Sequence, residues 1–534
     1  MNTFAGLGTL VRLFARRDRV RAPIWIAAIT LSVVGSFASF PGLYTTQEAI
    51  DLRYDVVLSN PGGIALTGPG YGRDRVTPER LGALGANEMS ASTIIAMALM
   101  GIFLMVRHTR GDEEAGRLEL LRAGVVGRYA PVTAAMLVVA GALLATGLAV
   151  AVGLMALGYE VAGSLAVGLS MAACGVVFAA LAGLTAQLTE HARAASGLAF
   201  ASFGVAFFVR VAGDVQQSAL TWWSPVGWVQ AVRPFASEQW WVFAPLVALA
   251  LALLGASYAL LDRRDVGAGL LAARPGSARA RPGLERPLAL ALRLQRGVLL
   301  WWAIGMFVFA TMVGSIALEG ERMMEALDVY AVYFQAAGGA SLAESFLSAY
   351  LGFVAMTSVG FALQSAVALR TEAVRGRTES ILAAGVDRTQ WYAGWAGASA
   401  LGTLVVLTVS GIGAAAAYAA SIGDSAAFPG VFLGMLNYLP SVWLLAAAAV
   451  ALYGLAPKLL PVVWVALAWV IVIGFLGPLL GLPEALLSWT PFAYTPQMPA
   501  QPFDAVSFFT MIAAIVALVV VGAVGFSMRD LDVA

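Results

Sequence analysis

The chain has 534 residues, 60% of them hydrophobic and 12% charged, with a mean hydropathy of +0.82 and a formal net charge of +1. Charge this sparse cannot cover the surface of a water-soluble protein of such length, so lipid must be the solvent for much of the area. The small net charge argues against a nucleic-acid partner, the single cysteine (Cys174) excludes an internal disulfide, and two widely separated histidines (His108, His191) leave no metal site to expect.

In chain order, five arginines (Arg12, Arg16, Arg17, Arg19, Arg21) stand directly before an apolar run at 24–43. That run is too long for a signal-peptide core and lacks a cleavage pattern, so a retained span is expected. The stretch 10–22 before it fits an interfacial helix beside anionic lipid. Further runs long enough to cross a hydrocarbon core of ~30 Å as helices lie at 89–106, 131–157, 161–186, 195–213 and 242–261. A second set follows at 298–318, 346–368, 392–418, 428–452, 461–480 and 506–527. The expected fold is thus an all-α integral membrane protein of about twelve transmembrane helices.

With the N-terminus in the cytoplasm, 25 of the 32 basic residues fall in cytoplasmic segments and seven on the other side. Basic residues set topology, so both termini are expected in the cytoplasm. Arginine over lysine, with Lys458 the one lysine, together with abundant alanine and glycine, fits a high-GC bacterial genome and hence a bacterial plasma membrane.

The chain repeats itself. After the second run it reads RGDEEAGRLELLRAGVVGR (110–128), and after the eighth RTEAVRGRTESILAAGVDR (370–388). Arg110, Gly116, Arg117, Glu119 and Arg128 match Arg370, Gly376, Arg377, Glu379 and Arg388 at a constant offset. Trp223-Ser224-Pro225 is matched by Trp489-Thr490-Pro491, and Arg264-Asp265 by Arg529-Asp530. The expected organisation is a first six-span half (1–265), a Gly/Pro/Arg-rich cytoplasmic linker (266–290) and a second six-span half (291–534), as parallel repeats with a cavity between them as the default substrate site.

In the first loop, Asp112, Glu113 and Glu114 crowd the first turn of a helix expected over 112–122, where the dipole favours negative charge. The matching helix is expected over 372–382, with Glu372 and Glu379. A charged loop obeying the positive-inside rule is the simpler reading, but the duplicated G-R-x-E is more specific than charge balance requires. A pair of amphipathic helices on the cytoplasmic face reads as two docking knobs for a two-part cytosolic partner.

At this point the chain resembles a family. Its order of interfacial helix, span, outer loop, span, cytoplasmic helix, three spans, Trp-Ser-Pro loop and last span is similar to the permeases of ABC exporters. More narrowly it resembles the double-length permeases known as exporters of polyketide antibiotics, including tetronasin-type proteins. The carrying motifs are Glu114 to Leu121 (E-x-G-R-x-E-L-L), W-S-P-V-G-W (223–228) and R-R-D-V-G-A-G-L-L (263–271). The resemblance implies ATPase coupling through 112–122 and 372–382: Asp112, Glu113, Glu114, Gly116, Arg117, Glu119 and Arg128 in one half, and Glu372, Gly376, Arg377, Glu379 and Arg388 in the other. The second copy departs from the pattern, with Val374 and Arg375 where the first has Glu114 and Ala115.

No P-loop is present, since Lys458 lacks the glycine and hydroxyl neighbours that a phosphate cradle needs. The chain itself is therefore read as no enzyme. ATP and magnesium would sit on a separate ABC ATPase subunit, expected in two copies, and the substrate would be a hydrophobic or amphipathic, drug-like compound such as an antibiotic. Trp223, Ser224, Pro225, Trp489, Thr490 and Pro491 are candidates for outer gate segments, with an interfacial aromatic belt as the alternative. Phe203, Phe207 and Arg210 are candidates for the substrate path, against packing and snorkelling. His108 and His191 read as solvated loop residues, and Asn437 with Pro440 as a kink.

Two other classes compete. A major-facilitator-type transporter shares the twelve spans and repeated loops, but its proton chemistry would want membrane-embedded acids. A polytopic membrane enzyme would use clustered acids, and only Glu48, Asp51, Asp55, Asp74 and Glu79 are available, scattered among Gly and Pro in what reads as a solvated outer loop.

Overall fold

The computed structural model describes residues 3–59, 61–265, 267–270, 283–317, 342–476 and 483–529. The middle of the expected linker, residues 318–341 of the second half, and Asp530 lie outside them. The chain divides into two compact units, Met1–Gly276 and Ser277–Ala534.

The described residues are helical throughout their regular structure. In the first unit, α1 (Leu7–Arg17) leads into α2 (Arg21–Leu43). Two short helices follow, α3 (Gln47–Ser59) and α4 (Pro61–Thr67), then the long α5 (Gly82–His108). A bent pair, α6 (Arg110–Glu114) and α7 (Arg117–Arg122), precedes α8 (Ala130–Ala156), α9 (Val161–Leu188) and α10 (Ala192–Val215). The short α11 (Pro225–Ala231) and the closing span α12 (Phe243–Leu261) complete the unit.

The described residues of the second unit include counterparts of the first unit's long helices. The unit runs through α13 (Pro287–Ser315), α14 (Leu342–Val374), α15 (Arg377–Ala383), α16 (Arg388–Ile422), α17 (Phe428–Asn437) and α18 (Leu439–Leu455). It ends with α19 (Val462–Ile471), α20 (Glu484–Leu487) and α21 (Ala505–Met528).

Eleven of the described helical segments are long and apolar enough to cross a membrane. The expected span at 461–480 is the exception: its described part is a shorter apolar helix, Val462–Gly474, whose last turn loosens into a π-helix from Val472. The span expected at 428–452 is broken between α17 and α18, with Asn437 ending one helix and Pro440 in the first turn of the next, where a missing N–H costs nothing.

Between apolar helices in lipid, close packing replaces the hydrophobic drive of water. α8 and α9 cross through paired glycines: a Cβ on Gly147 would lie 2.1 Å from the Gly168 carbonyl oxygen, and one on Gly168 equally close to that of Gly147. No other residue fits either position without moving the helices apart.

The segment 44–81, expected as a solvated loop, is instead a folded cap. Arg53 is buried and pairs with Glu88 at 2.6 Å, while the Tyr54 hydroxyl donates to the Tyr71 carbonyl at 2.9 Å. Arg73 binds Asp55 at 2.5 Å and Asp51 at 3.2 Å, and its guanidinium holds the Asp55 carboxyl below the usual range. Two of the five acids weighed as catalytic are thus tied to one arginine.

Candidate coupling site

Each unit carries the same bent element at its arginine-rich end. After α5 the chain turns at Gly116, with φ 70° and ψ 1°; after α14 it turns at Gly376, with φ 70° and ψ 3°. This left-handed conformation favours glycine, because a Cβ would crowd the following carbonyl. The residue after each glycine then reaches back over the bend. Arg117 donates to Asp112 at 2.9 Å, and Arg377 to Glu372 at 3.1 Å. Asp112 and Glu372 occupy the same place in the repeat, so the acid, the bend and the arginine form one unit made twice.

The helix expected to be continuous over 112–122 is therefore two helices meeting at an elbow. The same bend separates Glu372, in the last turns of α14, from α15. Only the distal arms, α7 and α15, project Glu119 and Glu379, both exposed. Leu120 beside Glu119 is 79% exposed.

Asp112 and Glu113, expected among the docking residues, are buried and already paired. Asp112 accepts from Arg17 as well as Arg117, and this bond holds the Arg17 proton more tightly than usual. Glu113 accepts from Arg264 at 2.7 and 2.8 Å and from the Gly267 amide at 2.8 Å, and lies 3.2 Å from Arg110. Charges this deeply buried must be compensated, and here they are compensated within the fold. Glu114 is exposed and accepts from the Ala192 amide at 3.0 Å, where the start of α10 favours an anion.

Several partners in this brace were not foreseen. His108 is buried against Phe14, with ring centroids 4.7 Å apart, and contacts Asp18, which also binds Arg107. The expectation of a solvated His108 fails because α1 lies across it. α1 itself stops at Arg17, short of the expected 22, because Arg17 and Asp18 are drawn into the elbow and Arg21 opens α2. Arg264, visible in the sequence only as half of an Arg-Asp landmark, also donates to Gln187 at 2.8 Å.

Arg128 and Arg388 bond to the ends of their units' last spans. Arg128 donates to the Leu261 carbonyl at 2.6 Å, and Arg388 to that of Arg529 at 2.8 Å. Each brings positive charge to the C-terminal end of its unit's last span, where carbonyls are left over.

At the opposite, tryptophan-rich end the repeat is equally visible. Trp223 and Trp489 are 83% and 76% exposed, whereas Ser224 and Thr490 are buried and Pro225 and Pro491 start short helical turns. Ser224 donates to the Ala206 carbonyl at 2.6 Å and caps α11. Phe203 packs edge-on to Phe178 at 4.9 Å. Arg210 is fully buried, 3.3 Å from Asp214, with its guanidinium 4.4 Å above the Phe207 ring, so snorkelling does not describe it.

Two units of membrane-length helices, each carrying an elbow bent at a left-handed glycine, define a multi-pass membrane protein. Residues 284–527 match the family described as "Multidrug efflux system permease Rv1217c, C-terminal domain". Over 531 residues, 99% of this chain and 95% of the other, the sequence is 38% identical to "Multidrug efflux system permease protein Rv1217c" of Mycobacterium tuberculosis (strain ATCC 25618 / H37Rv). The chain belongs to this family of multidrug efflux system permeases.

Proposed function

We propose that the chain is the membrane subunit of an ATP-driven ABC exporter, moving hydrophobic or amphipathic compounds, drug-like and of the polyketide-antibiotic kind, out of a bacterial cell. Energy comes from a separate ABC ATPase, two copies of which dock on the two elbows from the cytoplasm, where both termini also lie. ATP and magnesium belong to those partners. Multidrug efflux, the activity in the name of the mycobacterial relative, fits this substrate class.

The observation that carries the reading is the duplicated elbow. A lone charged loop needs no left-handed glycine and no back-reaching arginine, and two copies with the same dihedral angles point to a mechanical role. A rigid bend that presents a short amphipathic arm suits the transfer of motion from a soluble domain to α5 and α14. The exposed Glu119, Leu120 and Glu379 are the contacts proposed for the partner. The buried Asp112, Glu113 and Glu372 hold the arms in place. The Trp-Ser-Pro and Trp-Thr-Pro segments are proposed to close the exit, with Phe203 and Phe207 near the path.

The test is ATP turnover in reconstituted membranes. The purified chain alone should hydrolyse no ATP, and turnover stimulated by an amphipathic drug should emerge on co-reconstitution with an ABC ATPase. Robust turnover by the lone chain, free of contaminants, would sink the reading.

A further inference from the structure

The first unit contains a cavity of ≈ 320 Å³ at its tryptophan-rich end, walled by α5, α9, α11 and the end of α10. That is within the range of about 300–1,000 Å³ typical of small-molecule sites. Val167 and Met171 give it an apolar side, and exposed Gln217, Ser218 and Trp222 stand at its rim.

The polar side has an unusual balance. Asn87, 3% exposed, gives both amide hydrogens to the cap, donating to the carbonyls of Thr67 at 3.1 Å and Pro69 at 3.2 Å. Gln230 donates to the Ser90 hydroxyl at 3.3 Å, which itself donates to the Thr67 carbonyl at 2.8 Å. The Thr93 and Ser170 hydroxyls are spent on their own helices, on the carbonyls of Met89 and Val167.

Two side-chain acceptors remain unpaired beside the Tyr71 hydroxyl. Asn87 Oδ1 and Gln230 Oε1 are buried with no hydrogen-bond partner among the described residues. Turning the Asn87 amide over would set its oxygen against two carbonyls, so this assignment is fixed by its neighbours. Asp214, also in the wall, adds a carboxylate that receives one bond from Arg210 and one from Thr221, fewer than its lone pairs can take.

We infer that this cavity is a binding site for an amphipathic molecule that supplies its own hydrogen-bond donors, hydroxyl or N–H, and is neutral or cationic. An anion would meet the Asp214 carboxylate and the two amide oxygens along this side, where Tyr71 adds a hydroxyl and Arg233 stands exposed at the rim. The inference rests on the efflux reading and deepens it by naming the substrate class.

The experiment uses the full-length chain in detergent and two fluorescent cations read by anisotropy. Rhodamine 6G carries aryl N–H donors; tetramethylrhodamine ethyl ester has the same charge and a similar shape but none. One hydrogen bond gained should favour rhodamine 6G by roughly three- to tenfold in wild type. Gln230→Leu should erase that preference, and Ser170→Phe, which fills the cavity and leaves the cap's bonds alone, should weaken both dyes about tenfold. Gln230→Leu reads the site even if Ser170→Phe fails to fold. Equal affinities for both dyes in wild type and Gln230→Leu would overturn the site, as a pocket holding water alone would give. Dye export from cells co-expressing an ABC ATPase reads the parent proposal separately. The expected binding pattern without export would support the pocket and count against efflux, whereas export unchanged in both variants would overturn the pocket and leave efflux standing.

Discussion

At the residue scale, Glu113 shows a charge that the fold has already paired. It stands between two acids that read alike in sequence, yet it alone joins Arg264, Arg110 and the Gly267 amide in a buried cluster. Removing one member of such a cluster leaves buried arginines uncompensated and costs about 3–5 kcal/mol. Glu113→Ala should therefore lower thermal stability measurably in detergent, with or without an ATPase present. Glu119→Ala, on an exposed arm, should leave stability within about 0.5 kcal/mol and impair only drug-stimulated ATP turnover. Equal stability losses in the two variants would refute this division. A second residue-level test concerns the bend itself. Gly116→Ala meets open space, with nothing within 4 Å of the added Cβ, so any cost comes from the backbone alone, about 1–2 kcal/mol. Gly116→Asn, which tolerates the left-handed conformation better, should retain more coupled turnover than Gly116→Ala, and the reverse order would contradict the elbow geometry.

At the scale of elements, the two elbows share a bend but not a brace. At the positions of Glu113 and Glu114 the second unit has Ala373 and Val374, and Val374 is 61% exposed. The first elbow is thus tied to α1, to α10 and to the chain after α12, while the second keeps the Arg377–Glu372 bond. Hydrogen exchange should be faster in 372–383 than in 110–122, and comparable rates would count against unequal bracing. Charge makes the pair unequal as well, since 112–122 carries two more acids than bases while 372–382 is balanced. Glu119→Ala and Glu379→Ala should both impair coupling, with different severity and salt dependence at two ionic strengths. Indistinguishable behaviour would remove the asymmetry, and wild-type coupling in the double variant would remove the docking role.

The duplicated G-R-x-E was legible in the sequence, because a repeated motif survives without knowledge of what it touches. The bend at Gly116 was not: a helix broken by one glycine and a helix containing it share the same apolar spacing. The partners of Asp112 and Glu113 were out of reach for a different reason. Arg17 and Arg264 lie 95 and 151 positions away, and no local pattern encodes such pairing. The cap at 44–81 was hidden by its Gly and Pro content, which masks helices as short as α4. The hydrophobic runs located the spans well; at 461–480 the described helix covers Val462–Gly474, and the end of the run lies outside the described residues.

At the scale of the whole molecule, the two elbows, and not the tryptophan-rich ends, are proposed to meet a soluble ATPase. Cys174 is buried within α9, so a cysteine introduced elsewhere would be the accessible thiol of the chain. Single-cysteine replacements Glu119→Cys and Glu379→Cys, with Trp223→Cys as the control from the opposite end, can be treated with a short bifunctional thiol cross-linker after co-purification with an ABC ATPase bearing one surface cysteine beside its docking cleft. Cross-linked product is expected from both Glu119→Cys and Glu379→Cys and none from Trp223→Cys. Cross-linking at Trp223→Cys, or at neither elbow while the complex stays intact, would contradict the proposal.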